Sequence, residues 1–179
     1  MIPTEFQDFI VALEFAAHKH RDQRRKDEGA SPYINHPIQL VRILVQEADV
    51  HDTNVLSAAL LHDTIEDTET TYDELVEAFG EKVASIVDEV TDDKALAKPV
   101  RKQAQIDHAA HLTPEAKLVK LADKIANVRD MATASPAGWS LERRQEYFDW
   151  AKKVVDGLRG THRGLEDAFD AAYAERPEA

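Results

Sequence analysis

Apolar and polar positions along the chain follow a helical period almost throughout. From Thr4 to about His20, Phe9, Leu13, Ala16 and Ala17 give one apolar stripe, and Thr4 with Gln7 forms a capping-box pattern. Residues 27–35 read as a loop containing Gly29 and Pro32, after which Pro37 suits a first helical position ahead of Ile38, Val41, Leu44 and Val45. Asp52 or Thr53 caps the next helix, which is apolar almost all round through Leu61 and is therefore expected at the centre of the fold. Thr71 with Glu74 is a second capping box, Gly80 ends that helix, and another runs from Glu81 to about Val90. Residues 92–99 are polar and read as irregular, followed by a helical segment through Ala110. Thr113-Pro114-Glu115 opens a long helix bearing Leu118, Leu121, Ile125 and Val128. Ser140 opens another, with Tyr147, Phe148, Trp150 and Val154 as core candidates, and Gly157 and Gly160 weaken its end before a last helix from Leu165 to Tyr173. No alternating run of useful strand length occurs, so the expected architecture is all-α, one compact helical domain over residues 1–179.

Length agrees with that count, since 179 residues fill one core well and two poorly. The absence of Cys excludes disulfides, thiolate metal sites and a Cys nucleophile. The start, Met-Ile-Pro-Thr-Glu-Phe, has no signal-peptide pattern, and no stretch approaches the roughly 20 apolar residues of a membrane span. A cytoplasmic protein with no membrane partner is expected. Net charge is −12, from 22 basic and 34 acidic residues, which argues against a nucleic-acid partner. A small anionic ligand responds to local charge instead. Arg21, Arg24, Arg25 and Lys26 form the local basic exception, which on its own reads as the basic end of the first helix.

Chemistry concentrates where an apolar run stops. His62-Asp63 closes the stretch Val55 to Leu61, and Glu66-Asp67 follow about one helical turn later. Several charges at the end of a core segment must pair, change protonation state or bind a cation. His36, between Asn35 and Pro37, reads alone as a cap or surface residue. Asp123, Asn127 and Asp130 share one helix face, which alone reads as a solvated stripe. Taken together, His36, His62, Asp63 and Asp123 supply two imidazoles and two carboxylates, a donor set suited to Mn²⁺, Fe²⁺, Co²⁺ or Zn²⁺.

The order H…HD…D resembles that of the HD superfamily of metal-dependent phosphohydrolases. Arg-Arg-Lys-Asp (24–27), Pro-Tyr-Ile-Asn-His-Pro (32–37), Ala-Ala-Leu-Leu-His-Asp-Thr-Ile-Glu-Asp-Thr (58–68) and Val-Lys-Leu-Ala-Asp-Lys (119–124) resemble the hydrolase domain of RelA/SpoT-type alarmone enzymes. Val-Thr-Asp-Asp-Lys (90–94), Gly-Trp-Ser (138–140) and Gln-Glu-Tyr-Phe (145–148) are similar to the small stand-alone hydrolases of that group. The likeness runs from about residue 9 to residue 173.

That resemblance implies a helical HD domain holding one Mn²⁺, which removes the 3′-diphosphate of (p)ppGpp to give GDP or GTP and pyrophosphate. It implies His36, His62, Asp63 and Asp123 as metal ligands and Glu66 with Asp67 as the carboxylates beside the attacking water. Arg25 and Lys26 would neutralise phosphate charge, and Tyr33 would stack on the purine or pack under it. Asn127 would position the ribose or a phosphate, and Lys98 and Arg143 resemble family residues near the phosphates. No synthetase domain is expected, hence degradation without alarmone synthesis. Ala126 departs from relatives, which usually carry a larger side chain before the Asn, and this bears on the nucleoside pocket. His18, His20, His51, His108, His111 and His162 are read as structural or exposed, and Trp139, Tyr147, Phe148 and Trp150 as packing.

Two further readings stand beside this one. The same metal site could serve the ribose 2′-phosphate of NADPH or another nucleotide phosphate. A sensor that binds nucleotide without turnover would be expected to carry degraded HD or Glu-Asp motifs, and both are complete here. Oligomeric state is not legible in the sequence.

Overall fold

The computed structural model describes residues 4–136 and 138–178, and among these all regular structure is helical apart from an isolated bridge between Arg24 and Pro32. The helices are α1 (Thr4–Lys19), α2 (Asn35–Ala48), α3 (Thr53–Leu61), α4 (Thr64–Asp67), α5 (Tyr72–Phe79) and α6 (Glu81–Val90). They continue as α7 (Lys98–His108), a 3₁₀ turn (Ala109–His111), α8 (Pro114–Thr133), α9 (Leu141–Asp156) and α10 (Arg163–Ala174).

Local chemistry sets most boundaries. Asp52, Thr71, Thr113 and Ser140 each accept a backbone N–H from the first turn they precede, so the N-caps expected from sequence form. His162 caps α10 through its ring, accepting from Leu165 N. Two boundaries move. α2 starts at Asn35, ahead of Pro37, because His36 N already bonds Tyr33 O at 3.0 Å. α7 takes in Lys98 and Pro99, where proline's fixed φ and missing N–H suit the opening of a helix.

The core is built around α3, whose residues Val55 to Leu61 are all buried, with α1, α2, α6 and α8 packed against it. Burial at the centre explains why α3 is apolar all round. On α1 the inward positions are Ala12 and Ala16, with Phe9 and Leu13 beside them, while Ala17 is exposed. α8 buries one long face through Ala116, Val119, Leu121, Ala122, Ile125, Ala126 and Val128. Phe148 and Val154 are fully buried on α9. Tyr147 and Trp150 pack on the same core while remaining half-exposed. α7 buries none of its residues, and Trp150 Nε1 ties it to α9 by donating to Lys102 O at 3.0 Å. The turn after α7 passes so close to Gly157 that a Cβ there would lie 2.7 Å from Ala109 Cβ, which explains the glycine after α9.

The central helix stops at Leu61 and the chain turns through His62 and Asp63 before α4 begins. Asp63 has φ −104° and ψ 2°, and Thr64 Oγ1 donates to Leu61 O at 2.7 Å, satisfying a carbonyl that the interrupted ladder leaves open. The apolar run therefore does not carry on smoothly into Glu66-Asp67. The break brings His62 and Asp63 to the end of α3 beside α2 and α8.

Candidate functional site

His36 from α2, His62 from the turn after α3, and Asp123 from α8 have donor atoms that all lie within 4.8 Å of one another. His36 Nε2 stands 3.2 Å from Asp123 Oδ1, and the two imidazole centroids are 5.3 Å apart. Asp63 adjoins this trio, with Oδ2 3.0 Å from His62 Nε2. The four residues expected from sequence are thus together, drawn from three parts of the chain.

His62 Nδ1 lies 2.9 Å from Ala59 O, so in the neutral ring it carries the proton and leaves the Nε2 lone pair facing the cluster. Nε2 is buried and makes no hydrogen bond of good geometry, its neighbour being the Asp63 carboxylate at 3.0 Å. Burial lowers the His36 pKa and favours the neutral imidazole that a metal needs. For His62 burial acts in the same direction, but the Asp63 carboxylate overrides it and pushes the ring up to about 9. Burial likewise works to raise the Asp63 and Asp123 carboxyls. His62 beside Asp63, and Lys124 with the histidines beside Asp123, hold both well below the usual carboxylate range. Two ionised carboxylates around two buried imidazoles, each with a ring nitrogen lacking a hydrogen-bond partner, fit a divalent cation, which would take over the role of the proton on His62.

Neighbouring side chains fix the donors. Tyr33 Oη donates to Asp63 Oδ2, and Asn127 Nδ2 donates to Asp123 Oδ1 at 2.6 Å. Lys124 Nζ pairs with Asp123 Oδ2 at 3.1 Å. Tyr33 is almost completely buried, 4.7 Å from the His20 ring centroid. Its hydroxyl is committed to Asp63, and the side chain lines the adjoining cleft. His20, buried and hydrogen-bonded to Gln23 Oε1, supports the tyrosine.

The cluster lines a cavity of about 160 Å³ together with Glu66, Asp92, Gln105 and Lys120. Glu66 is pushed up to about 7 by burial and by the nearby Asp63 and Asp92 carboxylates. Its Oε2 accepts the Asp92 N–H at 3.2 Å, and Arg101 Nη1 lies 3.9 Å from Oε1. A carboxyl poised near neutrality beside a metal cluster can accept a proton from water. Asp67 faces the adjoining, larger cleft, accepts from Gln23 Nε2 at 2.8 Å and is ion-paired with Lys94.

That cleft, about 660 Å³, opens over Tyr33, His36 and Asn127 and is bordered by Arg24, Arg25, Lys26 and Lys98. The basic run is not the end of α1, which stops at Lys19, but a loop held by Arg25 N to Ser31 O at 2.9 Å and Tyr33 N to Gln23 O at 3.1 Å. Arg25 pairs with Asp130 at 2.5 Å, Arg24 is spent on backbone carbonyls, and Lys26 is exposed. A second cavity of about 450 Å³ shares Lys98, Trp139 and Tyr147 with the cleft and adds Arg101, Lys102 and Arg143. The Arg143 guanidinium lies 4.0 Å from the Trp139 ring centroid. Trp139, Tyr147 and Trp150, expected to be packing alone, pack and line cavities at once. Ala126 is fully buried and lines neither cavity, so its small side chain is a matter of core packing.

Lys120 and Asp92 were not singled out from sequence. Lys120 stands one turn before Asp123 within Val-Lys-Leu-Ala-Asp-Lys, and that i, i+3 relation was the available signal.

Comparison with known proteins agrees with this geometry. An HD domain family model matches residues 12–149. The guanosine-3′,5′-bis(diphosphate) 3′-pyrophosphohydrolase MESH1 of Mus musculus is 55% identical over 173 residues, which is 97% of each chain. An Aquifex aeolicus guanosine-3′,5′-bis(diphosphate) 3′-pyrophosphohydrolase is 38% identical over 135 residues, covering 72% of this chain and 18% of that longer one. A solved metazoan orthologue of SpoT, described as hydrolysing ppGpp and playing a role in starvation responses, superposes with a TM-score of 0.92 at 50% identity, over 94% of this chain and 95% of the other. With likeness extending through nearly the whole chain in both sequence and fold, this protein belongs to the HD domain family and, within it, to the group of stand-alone SpoT relatives.

Proposed function

We propose that this chain is a metal-dependent guanosine-3′,5′-bis(diphosphate) 3′-pyrophosphohydrolase, releasing pyrophosphate from (p)ppGpp to leave GDP or GTP. The observation that carries the reading is a carboxyl of raised proton affinity, Glu66, sharing one small cavity with the His36–His62–Asp63–Asp123 cluster beside a cleft edged with cations. The full-length likeness to MESH1 supports the choice of substrate.

In this reading His36, His62, Asp63 and Asp123 hold one divalent ion, for which the resemblance to the alarmone hydrolases implies Mn²⁺, one of several first-row ions that a nitrogen and oxygen donor set accepts. Such an ion supplies Lewis-acid charge toward a phosphoryl oxygen and lowers the pKa of water. Glu66 accepts the proton of the attacking water, for which it must be ionised. Asp67, bound to Gln23 and Lys94, holds the edge of the cleft. Asn127 keeps the Asp123 carboxylate oriented, and Tyr33 does the same for Asp63. Arg25, Lys26, Lys98 and Arg143 offset the charge of the substrate's phosphates. Water attacks the ribose-proximal phosphorus of the 3′-diphosphate, the bond to the 3′ oxygen breaks, and that oxygen takes up a proton as pyrophosphate departs. The cytoplasm is the proposed location of this activity.

Phosphorus NMR of ppGpp incubated with the Mn²⁺-loaded protein tests this, with GDP and pyrophosphate as the expected products. Inorganic phosphate from NADPH at a comparable or higher rate would move the assignment to a ribose 2′-phosphatase. Tight binding of ppGpp without products would make the protein a sensor.

A further inference from the structure

Lys120 is a buried ammonium on the wall of the metal cavity, one turn before Asp123 on α8. Its Nζ donates to Val90 O at 2.9 Å, and among the described residues no carboxylate lies within ion-pair distance of it. Burying a lysine without a carboxylate partner opposes folding, and an apolar side chain of the same length would pack there at lower cost. Burial lowers the pKa of Lys120, and the charge is favoured by the field of the Asp123, Asp92 and Asp63 carboxylates around the cavity, which ties it to the site.

The hydrogen-bond partner of Lys120 suggests what that tie does. Val90 is the last residue of α6, and the chain leaves it through Thr91 to Asp92. The Asp92 N–H donates to Glu66 Oε2 at 3.2 Å, while Asp92 Oδ2 accepts from Gln105 Nε2 at 2.5 Å. A bond to the Val90 carbonyl sets the direction in which the next two peptide units leave the helix, and hence where the Asp92 N–H points. Glu66 is faced by Asp63 and Asp67 from its own segment, Asp92 from the end of α6, Arg101 from α7 and Lys120 from α8.

We infer that Lys120 is a positioning residue for hydrolysis, clamping the C-terminus of α6 so that the Asp92 N–H holds the Glu66 carboxylate at the attacking water. This rests on the assignment of Glu66 made above. Lys120 acts through Glu66, and neither metal ligation nor phosphate binding is assigned to it.

A double-mutant cycle separates this role from a merely structural one. Single-turnover ppGpp hydrolysis would be measured with Mn²⁺-loaded wild type, Lys120→Met, Glu66→Gln and the double variant. Lys120→Met is expected to lower kcat about 10- to 100-fold, the range for losing a supporting partner, with KM and metal content unchanged. In the Glu66→Gln background the same substitution should cost little more, because the carboxylate it serves is already gone. Equal losses in both backgrounds, a loss expressed in KM or metal content, or no loss would each overturn the inference. Should Lys120→Met fail to fold, Lys120→Leu, which also lacks a donor for Val90 O, carries the same cycle. An impaired Glu66→Gln with an additive cycle removes Lys120 alone, whereas a fully active Glu66→Gln removes the reading of Glu66 itself.

Discussion

The Tyr33 hydroxyl donates to Asp63 Oδ2, the same carboxylate oxygen that lies 3.0 Å from His62 Nε2. The phenol is held almost out of water, and burial with the nearby Asp63 charge raises its pKa, so it remains a donor throughout the accessible pH range. One oxygen of Asp63 is therefore oriented by a group with a single available role. Tyr33→Phe should leave the fold intact and weaken metal affinity or turnover about 10- to 100-fold, as loss of an outer partner of a ligand does. Isothermal titration of the metal-free variant with Mn²⁺ checks this, and wild-type affinity with wild-type turnover would reduce Tyr33 to packing.

Asp63→Ala should abolish turnover and leave the protein largely metal-free after dialysis against a Mn²⁺ buffer that loads the wild type. The change removes an anionic oxygen beside two buried imidazoles, and Asp123 alone is left to balance a dication. His62→Ala should behave alike. His51→Ala should do little, because His51 is highly exposed and, among the described residues, pairs with Asp49 alone. Metal analysis of the three dialysed variants decides the matter, and a fully loaded, active Asp63→Ala would take Asp63 out of the site.

Glu66→Gln should retain the metal and lose about two to four orders of magnitude in rate, the usual scale for general-base assistance. It also makes a stability prediction of defined sign. Folding raises the Glu66 pKa from 4.5 to about 7, so between those values the folded state binds more protons than the unfolded chain. Its contribution to stability is present below the lower value and is lost as pH rises through the upper one. A neutral glutamine escapes that loss. Metal-free Glu66→Gln should therefore melt a few degrees above metal-free wild type at pH 8 and together with it at pH 4. Thermal melts at the two pH values test the sign, and a variant that melts below wild type at pH 8 would contradict it.

The central helix and its caps were legible because each rests on short-range chemistry, whereas the four donors, drawn from three distant parts of the sequence, were legible only through their order and the family resemblance. Asp52, Thr71, Thr113 and Ser140 announce helix starts, and an all-round apolar run can only be central. The turn at His62 was not legible, since the apolar pattern ends there in either case and it takes Thr64 capping Leu61 to show that the ladder stops. Nor could sequence divide Glu66 from Asp67. Adjacent residues leave a helical turn in different directions, and Lys94 and Asp92, which tell them apart, belong to a loop more than twenty residues away. Tyr33 offered an aromatic face in sequence, and only the fold shows its hydroxyl committed to Asp63.

Arg25 and Lys26 are neighbours in sequence with opposite physical situations, and the difference should appear in salt dependence. Lys26 is exposed at the rim of the cleft, and no ion pair is formed by it among the described residues. Its influence on a polyanion is long-ranged and falls off over a Debye length of roughly 8 Å at physiological salt. Arg25 is largely buried, paired at 2.5 Å with Asp130, and lines both the cleft and the metal cavity. A substrate phosphate reaching it makes a short-range contact that salt screens little. Lys26→Gln should therefore raise KM for ppGpp at low ionic strength and lose most of that effect in about 0.5 M salt, where screening shortens to a few ångströms. Arg25→Gln should raise KM by a similar factor at both. Michaelis constants for both variants across a salt series, with metal content checked in parallel, test the distinction. Identical salt slopes would place the two side chains in one environment and contradict the separation seen here.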